Sequence, residues 1–240
     1  MKREGAMNKI QRVWVAAAAI VIAVSWMATA AWKADFTPST YNPGVGEAVS
    51  FAVCASCLSS ETYTYRWDWN GDGVVDLETR DPVATHAYAT AGYYEAELVI
   101  VAGTGLRDTC RKGILVGAVP AFAVRDVLAQ DDGTLLVVVT VRTVDAIPGG
   151  LGFEERVPQG WQVSLEETAG TMLSGIESQS RTVYAQWAAV DAGAEMVFTY
   201  RLSMYAGYAA SAMQLSGELR GYVGGVRFVA TICGATRLPS

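Results

Sequence analysis

At 240 residues the chain is long enough for two compact domains, each with a core of its own. Hydrophobic residues make up 51% and charged residues only 18%, which excludes disorder over any long stretch. The formal charge is −6 and falls to about −9 once a basic leader is removed, so an acidic surface repels phosphate backbones and nucleic acid is not an expected partner.

The chain begins with Lys2, Arg3, Lys9 and Arg12, followed by an uncharged run from Val13 to Trp32, the n-region and h-region of an export signal. Ala28, Thr29 and Ala30 form the small-x-small pattern of a signal peptidase, which favours cleavage before Ala31. The run is longer than the roughly 7 to 15 residues usual in an h-region, so an uncleaved membrane anchor is the alternative for residues 1–30. Either way the basic residues stay inside and everything after Lys33 is translocated, which places the folded part in the envelope or outside the cell.

A first domain is expected over residues 34–117. Ala34 to Phe36 open it, Pro38 and Gly44 to Gly46 turn the chain, and Ser50 to Val53 form the next strand. Tyr63, Tyr65, Trp67 and Trp69 alternate with Thr64, Arg66 and Asp68, the period of a strand with one aromatic face buried and one polar face wet. Asn70, Gly71, Asp72 and Gly73 then reverse the chain. After Gly92 a second alternating strand places Tyr94, Ala96, Leu98 and Ile100 on one face, and a last strand ends at Ile114 to Val116. About seven short strands separated by turns make a β-sandwich. The run W-D-W-N-G-D-G at Trp67 to Gly73, then H-A-Y at His86 to Tyr88, then G-Y-Y at Gly92 to Tyr94, resembles the PKD repeat, an immunoglobulin-like β-sandwich of extracellular proteins. The turn at Asn70 is longer and richer in acidic and amide groups than in the commonest PKD form.

That turn carries the one metal hypothesis. Asp68, Asn70, Asp72, Gly73 and Asp76 fit D-x-N-x-D-G-x-x-D, the first nine positions of an EF-hand loop, whose oxygens suit Ca²⁺. The final bidentate glutamate would fall on Thr79, and no helices flank the loop, so a polar hairpin turn in which the carboxylates bond nearby amides is the favoured reading. No other cofactor is expected. His86 is the sole histidine, and a structural role near a strand end suits it, with Tyr88 as a corner residue. No catalytic residue is assigned, because G-x-S-x-G, H-E-x-x-H and phosphate-cradling glycine loops are all missing from the sequence. The pairs Glu154 with Glu155 and Glu166 with Glu167 read as solvated charges.

The four cysteines suit an oxidising compartment. Val49, Phe51 and Val53 share a core-facing parity that points Cys57 inward and Cys54 outward if the strand continues, and Cys110 shares parity with Ile114 and Val116. Cys57 with Cys110 is the preferred bridge of three pairings.

A second β-sandwich is expected over residues 118–237, entered through Val119 and Pro120. Leu135, Val137, Val139 and Val141 alternate with Leu136, Val138, Thr140 and Arg142, and Met196, Phe198, Tyr200 and Leu202 with Val197, Thr199, Arg201 and Ser203. V-P-Q-G-W at Val157 to Trp161, with Trp187 and F-T-Y at Phe198 to Tyr200, loosely resembles the β-sandwich modules repeated in bacterial secreted and surface proteins. Tyr205, Tyr208 and Tyr222 are candidates for an aromatic ligand platform, with packing as the commoner role for strand aromatics.

The fold expected is therefore all-β, with two tandem immunoglobulin-like sandwiches behind an export signal or anchor. The function expected is non-catalytic: a binding, adhesion or spacer module with a protein or polysaccharide partner at the cell surface, touching membrane only through an uncleaved leader. The alternatives are an accessory substrate-binding subunit of a secreted hydrolase, which the PKD resemblance implies, and a second domain with an uncharacterised enzymatic activity.

Overall fold

The computed structural model describes residues 33–54, 62–168, 170–207 and 214–236, and from Ala34 onward these form one compact unit. The described residues are all-β, as the alternating patterns require. The leader and the cleavage point before Ala31 lie outside them, as do Cys57 and Tyr208.

The first half contributes β1 (Phe36–Pro38), β2 (Ala48–Val53), β3 (Tyr63–Asp68), β4 (Leu77–Thr79), β5 (Val83–Ala87), β6 (Gly92–Ala102) and β7 (Arg107–Val116). The second half contributes β8 (Ala121–Ala129), β9 (Leu135–Thr143), β10 (Leu151–Arg156), β11 (Trp161–Glu167), β12 (Leu173–Glu177), β13 (Thr182–Trp187), β14 (Glu195–Met204), β15 (Ser216–Val223) and β16 (Val226–Thr231), and the last described strand is β17 (Cys233–Ala235). Among the described residues three sheets result, ordered β1-β2-β5, β12-β13-β10-β15-β16 and β11-β14-β9-β8-β17-β7-β6-β3-β4.

In the first half the small sheet packs on one end of the nine-stranded sheet through aromatic rings. Phe36 meets Trp67 edge-on at 5.2 Å, and Phe51 lies 4.8 Å from Trp69. The expected parities are present: Tyr63, Tyr65, Trp67 and Trp69 are buried, as are Val49, Phe51 and Val53. In the second half the five-stranded sheet covers the other end, with Phe153 against Phe198 at 5.6 Å in a core otherwise rich in Val, Leu and Ile. Leu135, Val137, Val139 and Val141 all point into it.

The nine-stranded sheet runs unbroken from one half into the other. β17 makes the join, pairing antiparallel with β7 at Gly234 and Gly113, and parallel with β8 at Cys233 and Val124. The last described strand thus fills the gap between two strands consecutive in sequence. Gly234 sits there at φ +79°, and a Cβ at that position would collide with the backbone of Arg125, so only glycine lets the strands approach this closely. Nothing in the alternation of three residues announces such a strand.

Candidate functional site

The acidic turn after β3 is built on backbone amides. The Asp68 carboxylate is buried and accepts the N–H groups of Asn70 at 3.2 Å and of Gly71 and Gly73, each at 2.7 Å. Asp76 accepts the N–H of Trp69 at 2.7 Å, while Asp72 accepts that of Val74 and the side-chain amide of Asn70. Both glycines take positive φ, +75° and +85°, which the reversal needs. Among the described residues no three acidic, imidazole or thiol groups come together as metal ligands, and of the set Asn70, Asp72 and Asp76 face solvent while Asp68 is buried.

Beneath the turn runs a ladder of rings. Trp67 stacks on Trp69 at 4.9 Å, Trp69 on His86 at 5.0 Å, His86 meets Tyr88 edge-on at 4.6 Å, and Tyr88 lies 4.4 Å from Tyr94. Burial lowers the pKa of His86, against an opposing pull from Asp76, so the ring packs as a neutral aromatic. The Tyr88 hydroxyl is buried without a hydrogen-bond partner among the described residues. This corrects the expectation of a tyrosine corner, which depends on that hydroxyl bonding the backbone. Tyr88 is instead a wedge between rings.

A second correction concerns Glu155. Glu154 does reach the surface, where it pairs with Arg220 at 2.6 Å, but Glu155 is 1% exposed and meets Arg125, itself 1% exposed, at 2.5 Å. Alternation drives one of two adjacent strand residues inward whatever its chemistry, and the inward one here finds a guanidinium on the facing sheet. Arg125 also donates to the Ala235 carbonyl of β17 at 2.5 Å, and the Tyr200 hydroxyl faces the same carboxylate. Burial pushes Glu155 upward against the pull of Arg125. A buried charge pair leaves no signature in a single sequence beyond one Arg and one Glu in strands. Glu166 keeps its expected surface place, paired with Arg201 at 2.8 Å.

Cys110 pairs with Leu98 in register and lies 3.7 Å from a carboxylate oxygen of Asp35. Burial pushes its thiol up to about 12. The backbone N–H of Cys54 bonds the carbonyl of the same Asp35 at 2.9 Å. Lys112, nearly buried, pairs with Asp35 at 2.9 Å and lies over the Phe36 ring. Burial alone would lower its pKa, but Tyr41 and Asp35 outweigh that and raise it.

The outer face of the five-stranded sheet holds a cavity of about 430 Å³. Its floor is backbone, since the central strand β10 and the turn before it supply Gly149, Gly150 and Gly152. Gly152 is paired with Gln186 on one side and Arg220 on the other, so a missing side chain in the middle strand leaves a trough between two long ones. Tyr222, 52% exposed, and Arg227 beside it in register continue the same wall. Trp187 also lines the cavity, and its buried indole N–H has no hydrogen-bond partner among the described residues. Tyr205 is on β14's end, in another sheet, and does not line the cavity. Of the three tyrosines Tyr222 lines this cavity, and Tyr208 lies outside the described residues.

Residues 33–114 match the family model of the PKD domain, and the resemblance carried by the W-D, H-x-Y and G-x-Y elements is that of a PKD domain in this part of the chain. The match covers less than half of the chain. No curated protein matches it. Among solved structures the chain is similar to carbohydrate-binding modules of the β-sandwich superfamily, at 16% identity and a TM-score of 0.34 over 86% of this chain and 98% of that one. It is also similar to the collagen adhesin of S. aureus, at 9% and 0.31 over 87% and 95%, and to fibronectin(III)-like modules of Clostridium thermocellum CbhA, at 13% and 0.32 over 84% and 94%. Identities and scores this low attach no ligand or activity to this chain.

Proposed function

We propose that the protein is a non-catalytic module of the cell envelope or exterior that binds or spaces, with a protein or polysaccharide partner. The observation that carries the reading is the nine-stranded sheet shared by both sandwiches through β17, which makes the halves one stiff body suited to presenting a surface. The groups most able to do chemistry are committed to packing: Glu155 to Arg125, and His86 to a ring stack. The PKD domain at 33–114 and the export signal read from residues 1–30 support an extracellular place. A boundary near Gly117 between a first domain at 34–117 and a second at 118–237 is part of the same proposal, as is weak Ca²⁺ binding by Asp68, Asn70, Asp72 and Asp76.

The test is a sedimentation assay of the purified exported chain with cell-wall and envelope fractions, run beside hydrolysis assays on polysaccharide and protein substrates. Retention without turnover supports the proposal. Turnover would instead support an enzymatic second half, and retention only in the presence of a secreted hydrolase would support the accessory-subunit reading.

A further inference from the structure

We propose that the trough over Gly152 is a saccharide-binding site that selects a sugar unit carrying a carboxylate, a uronic acid residue within a polysaccharide. The inference rests on the reading of the protein as a binding module and gives it a place and a ligand class.

Charge comes first. The lining contains two guanidinium groups, Arg220 and Arg227, and no carboxylate, on a chain whose net charge is −6. Arg220 is shared with Glu154 and Glu218 outside the cavity, whereas Arg227 is exposed and makes no ion pair among the described residues. An unpaired guanidinium at the mouth of a cavity favours a planar carboxylate, which it meets with two parallel hydrogen bonds. Shape comes second. A glycine floor lets a flat ring approach the sheet backbone, and Gly152 leaves this room without strain, since a Cβ there would meet nothing closer than Arg220 Cγ at 3.6 Å. The exposed Tyr222 ring offers an apolar face to the C–H side of a pyranose, and the Gln186 amide supplies a polar group for a hydroxyl. A cavity of about 430 Å³ is in the range of small-ligand sites.

An acidic peptide is the competing occupant, and the sheet disfavours it. β10 is bonded on both sides, to β13 and to β15, so its backbone has no free edge for an added strand, and a peptide would be held by side chains alone.

The experiment is calorimetric titration of the full exported chain with oligogalacturonate, with neutral cello-oligosaccharide and with polyglutamate. Oligogalacturonate should bind at least about tenfold tighter than either of the others. Arg227→Gln should weaken oligogalacturonate about tenfold and leave the neutral sugar unchanged, while Tyr222→Ala weakens both. Gly152→Val fills the trough and should abolish binding, with an unchanged melting temperature showing that the fold is intact. Equal binding of polyglutamate, equal binding of the neutral sugar, or full binding by Gly152→Val would overturn the inference. Failure of oligogalacturonate by a chain that still sediments with envelope fractions would sink the ligand assignment and leave the binding module standing. Failure in both assays would sink the two together.

Discussion

The two halves of the protein hold their sheets together by different means. In the first, Phe36, Phe51, Trp67, Trp69, His86, Tyr88 and Tyr94 form one chain of ring contacts across the sandwich, and its buried carboxylate, Asp68, is satisfied locally by amides of its own turn. In the second, aliphatic side chains surround a charge pair between β8 and β10, two strands of opposite sheets. Ring contacts gain from area and geometry and ask for no exact partner. A buried pair has to offset the desolvation of two ions, so its value lies in what happens when one member is removed. The first half should therefore lose stability gradually under substitution, and the second abruptly.

The sharpest break of that comparison is Arg125→Ala. It strands Glu155 in the core and frees the Ala235 carbonyl of β17, so urea unfolding should show a loss of about 3 to 5 kcal/mol. Replacing both members, Arg125→Met with Glu155→Leu, should recover most of it, because Arg125 Nε already lacks a partner among the described residues and the pair is imperfectly satisfied. A single substitution costing less than about 1 kcal/mol would erase the distinction between the halves.

The next effect concerns the first half. A bridge between Cys57 and Cys110 closes a loop of more than fifty residues and should stabilise the protein by roughly 4 kcal/mol in the chain-entropy picture, seen as a lower urea midpoint after reduction. Non-reducing peptide mapping identifies the partners. Asp35 accepts from the Cys54 backbone and lies beside the Cys110 sulfur, so a Cys54–Cys110 bridge is the specific outcome that would refute the parity argument.

Why the first half was legible and the second only partly so follows from the same contrast. Trp67 and Trp69 alternate with Arg66 and Asp68, and His86 and Tyr88 with Thr85 and the small Ala87, so each ring announces the face it occupies. The alternation of β9 and β14 is equally open, and both were readable as core strands. Glu155 was misplaced because parity says which residue turns inward only after strand register is known, and a charge inward needs a partner thirty positions away. β17 was missed for another reason: three residues, one of them the glycine that permits the close approach, carry no period at all. The trough was hidden likewise, since Gly152 reads as punctuation until Gln186 and Arg220 are known to flank it.

A smaller effect tests the acidic turn. Asp72 is exposed, so a cation held by Asp68, Asn70, Asp72 and Asp76 would gain from it without its loss disturbing the fold. With a dissociation constant of about 10⁻⁴ to 10⁻³ M, millimolar Ca²⁺ should add about 1 kcal/mol over EDTA. Asp72→Ala should lose that gain while keeping its melting temperature in EDTA. Superimposable melting curves for the wild type in the two buffers would leave the turn held by amides alone.

The smallest effect is a pH dependence confined to His86. Burial between Trp69 and Tyr88 lowers its pKa below the usual 6.5, with Asp76 opposing, so in the window between the two values the unfolded chain binds a proton that the folded chain does not. Stability is therefore fully present above about pH 6.5 and declines as the pH falls through the folded value, where the loss levels off. Carboxylates also titrate below that window, so the comparison must be made with His86→Phe, which keeps a ring in the stack and removes the proton. Unfolding free energies at pH 7.5 and 5.5 should fall more for the wild type than for His86→Phe. Equal slopes would mean that the imidazole is solvated enough to charge in place, and that the ladder ends at Trp69.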